Sequence, residues 1–176
     1  MGFFDRLFGK RPAPEKAQRR VAEVRENVEE RRQGNAIRFD PELIGKLKDD
    51  HQELFRIYGE LVASKDKDDF GTVAQLLHDF KLALQMHLMV ENVRFYVYLQ
   101  QQFSADASVA GFISEVRKEM DSIAHAAVRF VNTYSVPSYT PELKASFAEE
   151  LSAIGNVLVK RVAMEESRLY TLYQQH

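Results

Sequence analysis

Two histidines and two glutamates fall where a helical repeat calls for apolar side chains. In "GTVAQLLHDFKLALQM", Val73, Leu77, Phe80 and Leu84 form one stripe. The same spacing runs on through "HLMVENVRFYVYL" onto His87, Glu91, Phe95 and Tyr98. Earlier in the chain, His51 shares a face with Leu47, Leu54, Tyr58 and Leu61, roughly 40° from the centre of that stripe at about 100° per residue. The last helical segment repeats the second: "RVAMEESRLYTLY" aligns with "HLMVENVRFYVYL", so that Arg161 matches His87 and Glu165 matches Glu91, each pair spaced i, i+4. Three separate apolar faces therefore send polar groups inward. Burying an imidazole or a carboxylate without a partner costs on the order of several kcal/mol, so these groups must find one another or an ion.

Two chemistries suit this inventory. Neutral imidazoles and carboxylates from facing helices are a donor set for iron or manganese. Arg161 complicates that reading, because its guanidinium is always charged. At about 4 Å it repels a unit charge by roughly 4 kcal/mol at an effective dielectric near 20, and a divalent ion by twice that. The second chemistry is a metal-free network in which Arg161 bridges Glu91 and Glu165 while His51 and His87 complete the hydrogen bonding. The remaining histidines are expected at the surface. His78 and His125 point roughly 140° and 160° away from their apolar stripes, and His176 is terminal.

The elements that must carry these residues are four long amphipathic helices. The first follows Asp40, read as its cap, with Pro41 in its first turn, and "SKDKDD" ends it. The second runs from about Phe70 to Phe103. The third begins after "SADAS" and turns Val109, Phe112, Val116, Met120, Ile123, Ala127 and Phe130 inward. "YSVPSY" precedes the fourth, which Thr140 caps ahead of Pro141 and whose inward residues are Phe147, Leu151, Ile154, Leu158, Glu165, Leu169 and Leu172. Short links between long helices imply an all-α, up-down-up-down four-helix bundle over residues 39–176, with an N-terminal helical extension.

A chain of 176 residues that is 45% hydrophobic, with 12 Phe and 7 Tyr, has enough apolar surface for one real core. The formal charge of -2 gives no overall reason to expect nucleic acid as a partner. With no cysteine, thiolate catalysis, iron–sulfur clusters and sulfur-ligated zinc are excluded. A nucleophile with an adjacent base, a Gly-rich phosphate loop and H-E-x-x-H are also lacking, so a hydrolase or transferase is not expected. The lack of a membrane-length apolar run or secretion signal makes a cytoplasmic protein the expectation.

The spacing in "HLMVENVRFYVYL" resembles the H-x-x-x-E motif of the hemerythrin-like, or HHE cation-binding, family. The single histidine in "LKDDHQELFRIYGEL" resembles that family's first-helix ligand, and "KRVAMEESRLYTLY" resembles its second H-x-x-x-E. The resemblance covers about Asp40 to Tyr173. It implies a four-helix bundle holding non-haem iron, di-iron or mononuclear, that binds or senses oxygen or redox state, with His51, His87, Glu91 and Glu165 as ligands. Arg161 stands where the second motif begins with His, and Met120 where the third helix offers one, so the implied site is depleted or metal-free. The last helix, "LSAIGNVLVKRVAMEESRLYTLY", is also similar to that of the regulator of sigma D family. This second likeness implies a metal-free helical module that binds another protein, such as a sigma factor.

The first 38 residues lie ahead of the bundle. In residues 1–11, Phe3, Phe4, Leu7 and Phe8 share one side of a short helix, with Arg6, Lys10 and Arg11 toward the other. This pattern suits either the surface of an anionic membrane or a staple onto the domain. Residues 12–38 read as a strongly charged helical spacer with a thin stripe of Val21, Val24 and Val28. If residues 1–11 anchor the protein peripherally, deleting them releases it from anionic vesicles in a co-sedimentation assay with no loss of helicity in the bundle. Unchanged vesicle binding removes membrane contact from the account.

Overall fold

A computed structural model describes residues 37–175, so the amphipathic segment 1–11, all of the spacer before Ile37, and His176 lie outside the described residues. Helix α1 spans Leu43–Asp66 and α2 spans Phe70–Val90. A five-residue π-helical turn, Glu91–Phe95, joins α2 to α3, Tyr96–Gln102, as one continuous rod. Helix α4 covers Ala107–Tyr134 and α5 covers Pro141–Met164, which runs into a second π turn, Glu165–Leu169, and a short 3₁₀ turn, Tyr170–Leu172. Helix α1 packs on α2, α2 on α4, and α5 on both α4 and α1, which closes the four rods into a bundle. Among the described residues no helix is long and apolar enough to cross a membrane.

Side-chain caps set three of the four starts. Asp69 accepts from the Thr72 N–H at 3.1 Å, Asp106 from Ser108 and Val109 at 3.0 and 3.1 Å, and Thr140 from Leu143 at 3.3 Å with Pro141 in the first turn. At the first start the regular helix begins later than expected, with Pro41 and Glu42 in a turn ahead of it. Glu42 occupies the cap position of α1 without a side-chain cap bond, and Asp40 lies two residues ahead in a turn. Asp40 divides its carboxylate between the helix start and a tertiary contact: Oδ1 accepts from the Glu42 N–H at 3.0 Å, Oδ2 pairs with Arg94 at 2.9 Å, and its own N–H donates to the Tyr173 hydroxyl at 2.9 Å. That pins the entry of α1 against the end of the chain.

The core has two apolar parts. One gathers Leu54, Ile57 and Leu61 of α1 with Val73, Leu77, Phe80 and Leu84 of α2, Met120 to Tyr134 of α4, and Phe147, Leu151 and Leu158 of α5. The other gathers Leu43, Leu47, Phe95, Tyr96, Tyr98, Leu99, Ile113, Val116, Leu169, Tyr170 and Tyr173. On α1, α2 and α5 the sequence passes from one cluster to the other across His51, His87–Glu91 and Arg161–Glu165. The polar groups thus share one depth, between two apolar layers.

The expected inward stripes hold, with local shifts. Tyr58, expected inward, is half-buried while Ile57 beside it is buried, and Ile113 is more deeply buried than Val109 or Phe112. Tyr58 instead lies against Gly155 of α5, where an added Cβ would overlap its ring and hydroxyl. Glycine is needed there for the close approach of α1 and α5. Gly155→Ala is expected to cost about 1–3 kcal/mol in a denaturant titration, because overpacking outweighs the gain in helix propensity. In a Tyr58→Ala background the same substitution should cost nothing or stabilise, and an equal cost in both backgrounds would contradict the contact.

Candidate metal centre

His51, His87, Glu91, Arg161 and Glu165 are all buried, none more than 5% exposed. One nitrogen each of His51 and His87 and one oxygen of Glu165 lie within 4.8 Å of one another. Opposite donors on a single ion with bonds of about 2.2 Å are roughly 4.4 Å apart, so small side-chain movements close this set on one cation. Among the described residues this is the one such group of three or more potential ligands.

His51 is held at both nitrogens. Its Nδ1 faces Glu166 Oε1 at 2.8 Å, and Lys48 lies 3.8 Å from the other oxygen of Glu166. Its Nε2 faces Glu165 Oε2 at 3.1 Å and the Tyr170 hydroxyl at 3.3 Å. Burial opposes a charge on the ring, but the hydrogen bonds to Glu165 and Glu166 outweigh it and raise the His51 pKa. Because a carboxylate only accepts, Nδ1 carries its proton toward Glu166, and Nε2 is the atom free to exchange a proton for a metal.

His87 and Glu91 have fewer partners. His87 Nε2 is 3.9 Å from Glu91 Oε2, and its Nδ1, 3.8 Å from Asp50, makes no hydrogen bond. Neither carboxylate oxygen of Glu91 makes a hydrogen bond of normal geometry, although the residue is fully buried. Burial and then the charge of Glu165 push the Glu91 carboxyl well above the usual range, against the opposing pull of Arg161 and the nearby Tyr170 hydroxyl. Two acceptor oxygens without a hydrogen bond of normal geometry, one turn from an inward imidazole, are the pattern that a cation would satisfy.

Arg161 points the other way. Its Nε donates to Glu165 Oε1, its Nη2 to the Tyr96 hydroxyl at 2.8 Å, and its Nη1 to the Val116 carbonyl at 3.1 Å, with Glu119 at 3.5 Å. Burial disfavours its charge, but Glu165, Tyr96 and Glu91 more than compensate and raise its pKa. The expected bridge between two glutamates is therefore made to Glu165 alone. Glu165 divides its oxygens, Oε1 to the guanidinium and Oε2 to His51. Burial raises its pKa, but His51, Arg161 and His87 together bring it below the usual range.

Helix α4 offers no ligand. Met120 packs in the larger apolar cluster, and α4 meets the site through the Val116 carbonyl and Glu119. His78 and His125 are exposed as expected, with His125 Nδ1 2.6 Å from the Asp121 carbonyl oxygen.

Three contributors did not follow from helical periodicity: Tyr96, Tyr170 and Glu166. Both π turns begin at the buried glutamates, and the N–H of the residue five positions on, Tyr96 or Tyr170, donates to the Glu91 or Glu165 carbonyl. The extra residue in each turn brings the tyrosine onto the face of the glutamate, where a pure α-helix would put only Phe95 or Leu169. The aligned segments did hold a signal, since a tyrosine follows each glutamate by five in both.

The model of the hemerythrin HHE cation binding domain matches residues 42–173. No characterised protein and no solved structure matched the chain.

The two glutamates have opposite effects on stability. Glu165, with its lowered pKa, stabilises the fold above its unfolded pKa, and that contribution is lost as pH falls through the folded value. Glu91, with its raised pKa, costs nothing below its unfolded pKa of about 4.3 and destabilises the metal-free fold progressively as pH rises through the folded value. In chelator, Glu91→Gln should therefore melt above the parent at pH 7, with the gap closing near pH 4. A gap independent of pH would contradict this assignment.

Proposed function

Because the chain belongs to the hemerythrin HHE cation-binding family, we propose that its buried pocket binds non-haem iron as a single ion and serves an oxygen- or redox-responsive role. The observation that carries this reading is the convergence of His51, His87 and Glu165 beside a buried Glu91 whose oxygens make no hydrogen bond of normal geometry. Imidazole and carboxylate donors suit iron, while sulfur-seeking ions find no thiolate here.

Bound iron would supply a redox-active centre able to take a small exogenous ligand. The protein's own groups have separate tasks. Glu166 orients His51 and keeps its Nε2 toward the pocket. Arg161 neutralises one oxygen of Glu165 and occupies the side toward Tyr96 and α4, which supports one ion rather than two. The apolar clusters on either side limit water and strengthen every charge interaction between them.

A second reading has its own support in the closed set of hydrogen bonds around Arg161. In it the polar layer only fixes the bundle, and a surface binds another protein, for instance a sigma factor. Metal analysis separates the two. Protein purified from iron-supplemented cells should contain iron, and His87→Ala should remove most of it, whereas Arg161→His should raise uptake. Negligible iron in the parent, with Arg161→His merely less stable, rejects the iron reading and leaves the structural one.

A further inference from the structure

We propose that Tyr170 is a ligating residue of this site, its phenol oxygen joining His51, His87 and Glu165 to give a pocket that favours ferric iron. The inference rests on the single-cation reading and extends it to the identity of a donor and the oxidation state preferred.

The argument begins with spacing. Neighbouring donors on one ion with bonds of about 2.1 Å lie roughly 3.0–3.4 Å apart in octahedral or tetrahedral arrangements. His51 Nε2 is 3.1 Å from Glu165 Oε2 and 3.3 Å from the Tyr170 oxygen. Both separations fall in that interval, so the Tyr170 oxygen and Glu165 Oε2 each stand from His51 Nε2 as neighbouring ligands on one ion do. The Tyr170 and His51 rings are held nearly parallel, 8° between planes, with centroids 5.7 Å apart. Phe95 packs edge-on against Tyr170 at 5.1 Å, and the residue is 4% exposed, which fixes the phenol without giving it to solvent. The second π turn supplies the aim, for it is the extra residue between Glu165 and Tyr170 that puts both on the pocket side.

The pseudo-equivalent tyrosine provides an internal contrast. Tyr96 follows Glu91 as Tyr170 follows Glu165, but its hydroxyl accepts from Arg161 Nη2 at 2.8 Å and is committed to the guanidinium. One phenol faces the fixed cation and the other faces the pocket. A hard phenol oxygen beside the Glu165 carboxylate favours a trivalent ion over zinc or ferrous iron. Ligation replaces the Tyr170 O–H bond by an oxygen–metal bond, and the proton released goes to bulk water.

The test is spectroscopic, on the full chain loaded with ferric iron and assayed for bound metal. The parent should show a visible phenolate-to-iron charge-transfer band. Tyr170→Phe should abolish the band and weaken ferric binding by roughly tenfold or more, whereas Tyr96→Phe keeps the band; circular dichroism checks that each variant is folded. Bound iron with no such band, or a band that survives Tyr170→Phe, overturns the role of Tyr170 and leaves the single-ion site standing. No bound iron in the parent overturns both.

Discussion

A buried layer of charge between two apolar clusters is the constraint on which this bundle turns. Glu165 is almost fully enclosed, and it is tolerated there because a guanidinium engages one oxygen and an imidazole the other. Each of those partners is fixed from behind, Arg161 by Tyr96 and the Val116 carbonyl, His51 by Glu166. Removing one member would strand a charge in a low-dielectric core, which is far worse than replacing the whole set. Glu91 is the exception within the layer. It is enclosed as completely as Glu165 but is not paired in the same way, and the fold carries that cost.

The layer also explains the two departures from regular helix. A π turn costs hydrogen-bond quality and is retained mainly where a side chain must be re-aimed. Here both turns start at the inward glutamates, and each brings a tyrosine beside its glutamate. The two half-motifs then diverge in their first residue. His87 leaves its half open to a cation, while Arg161 fills the other with a permanent positive charge. This asymmetry reconciles the cation-binding family with a guanidinium in the core: the charge lies on the far side of Glu165 from His51.

Much of this was legible in the residues because α-helical periodicity determines which face a side chain occupies. It identified His51, His87, Glu91, Arg161 and Glu165 as inward, and their common depth follows from the bundle. Periodicity does not anticipate an inserted residue, so Tyr96 and Tyr170 emerged only with the π turns. Nor does a face specify a partner: Arg161 had two glutamates within reach of its helix, and its contacts to Tyr96 and α4 decided for Glu165. Asp40 was read as a cap from local chemistry, and its Oδ1 does accept the Glu42 N–H; the ion pair of its other oxygen with Arg94 was not visible in the sequence. Glu166 was hidden for a related reason, since a half-exposed glutamate next to a buried one reads as solvated until the structure brings His51 against it.

The central claim is that His51 and His87 hold a cation within this layer. X-ray absorption at the iron edge of the loaded protein tests it most directly. The account predicts a first shell of nitrogen and oxygen with the outer-shell scattering of two imidazoles, reduced to one by His87→Ala. An all-oxygen shell without imidazole scattering, unchanged by that substitution, would place the iron elsewhere and contradict the account.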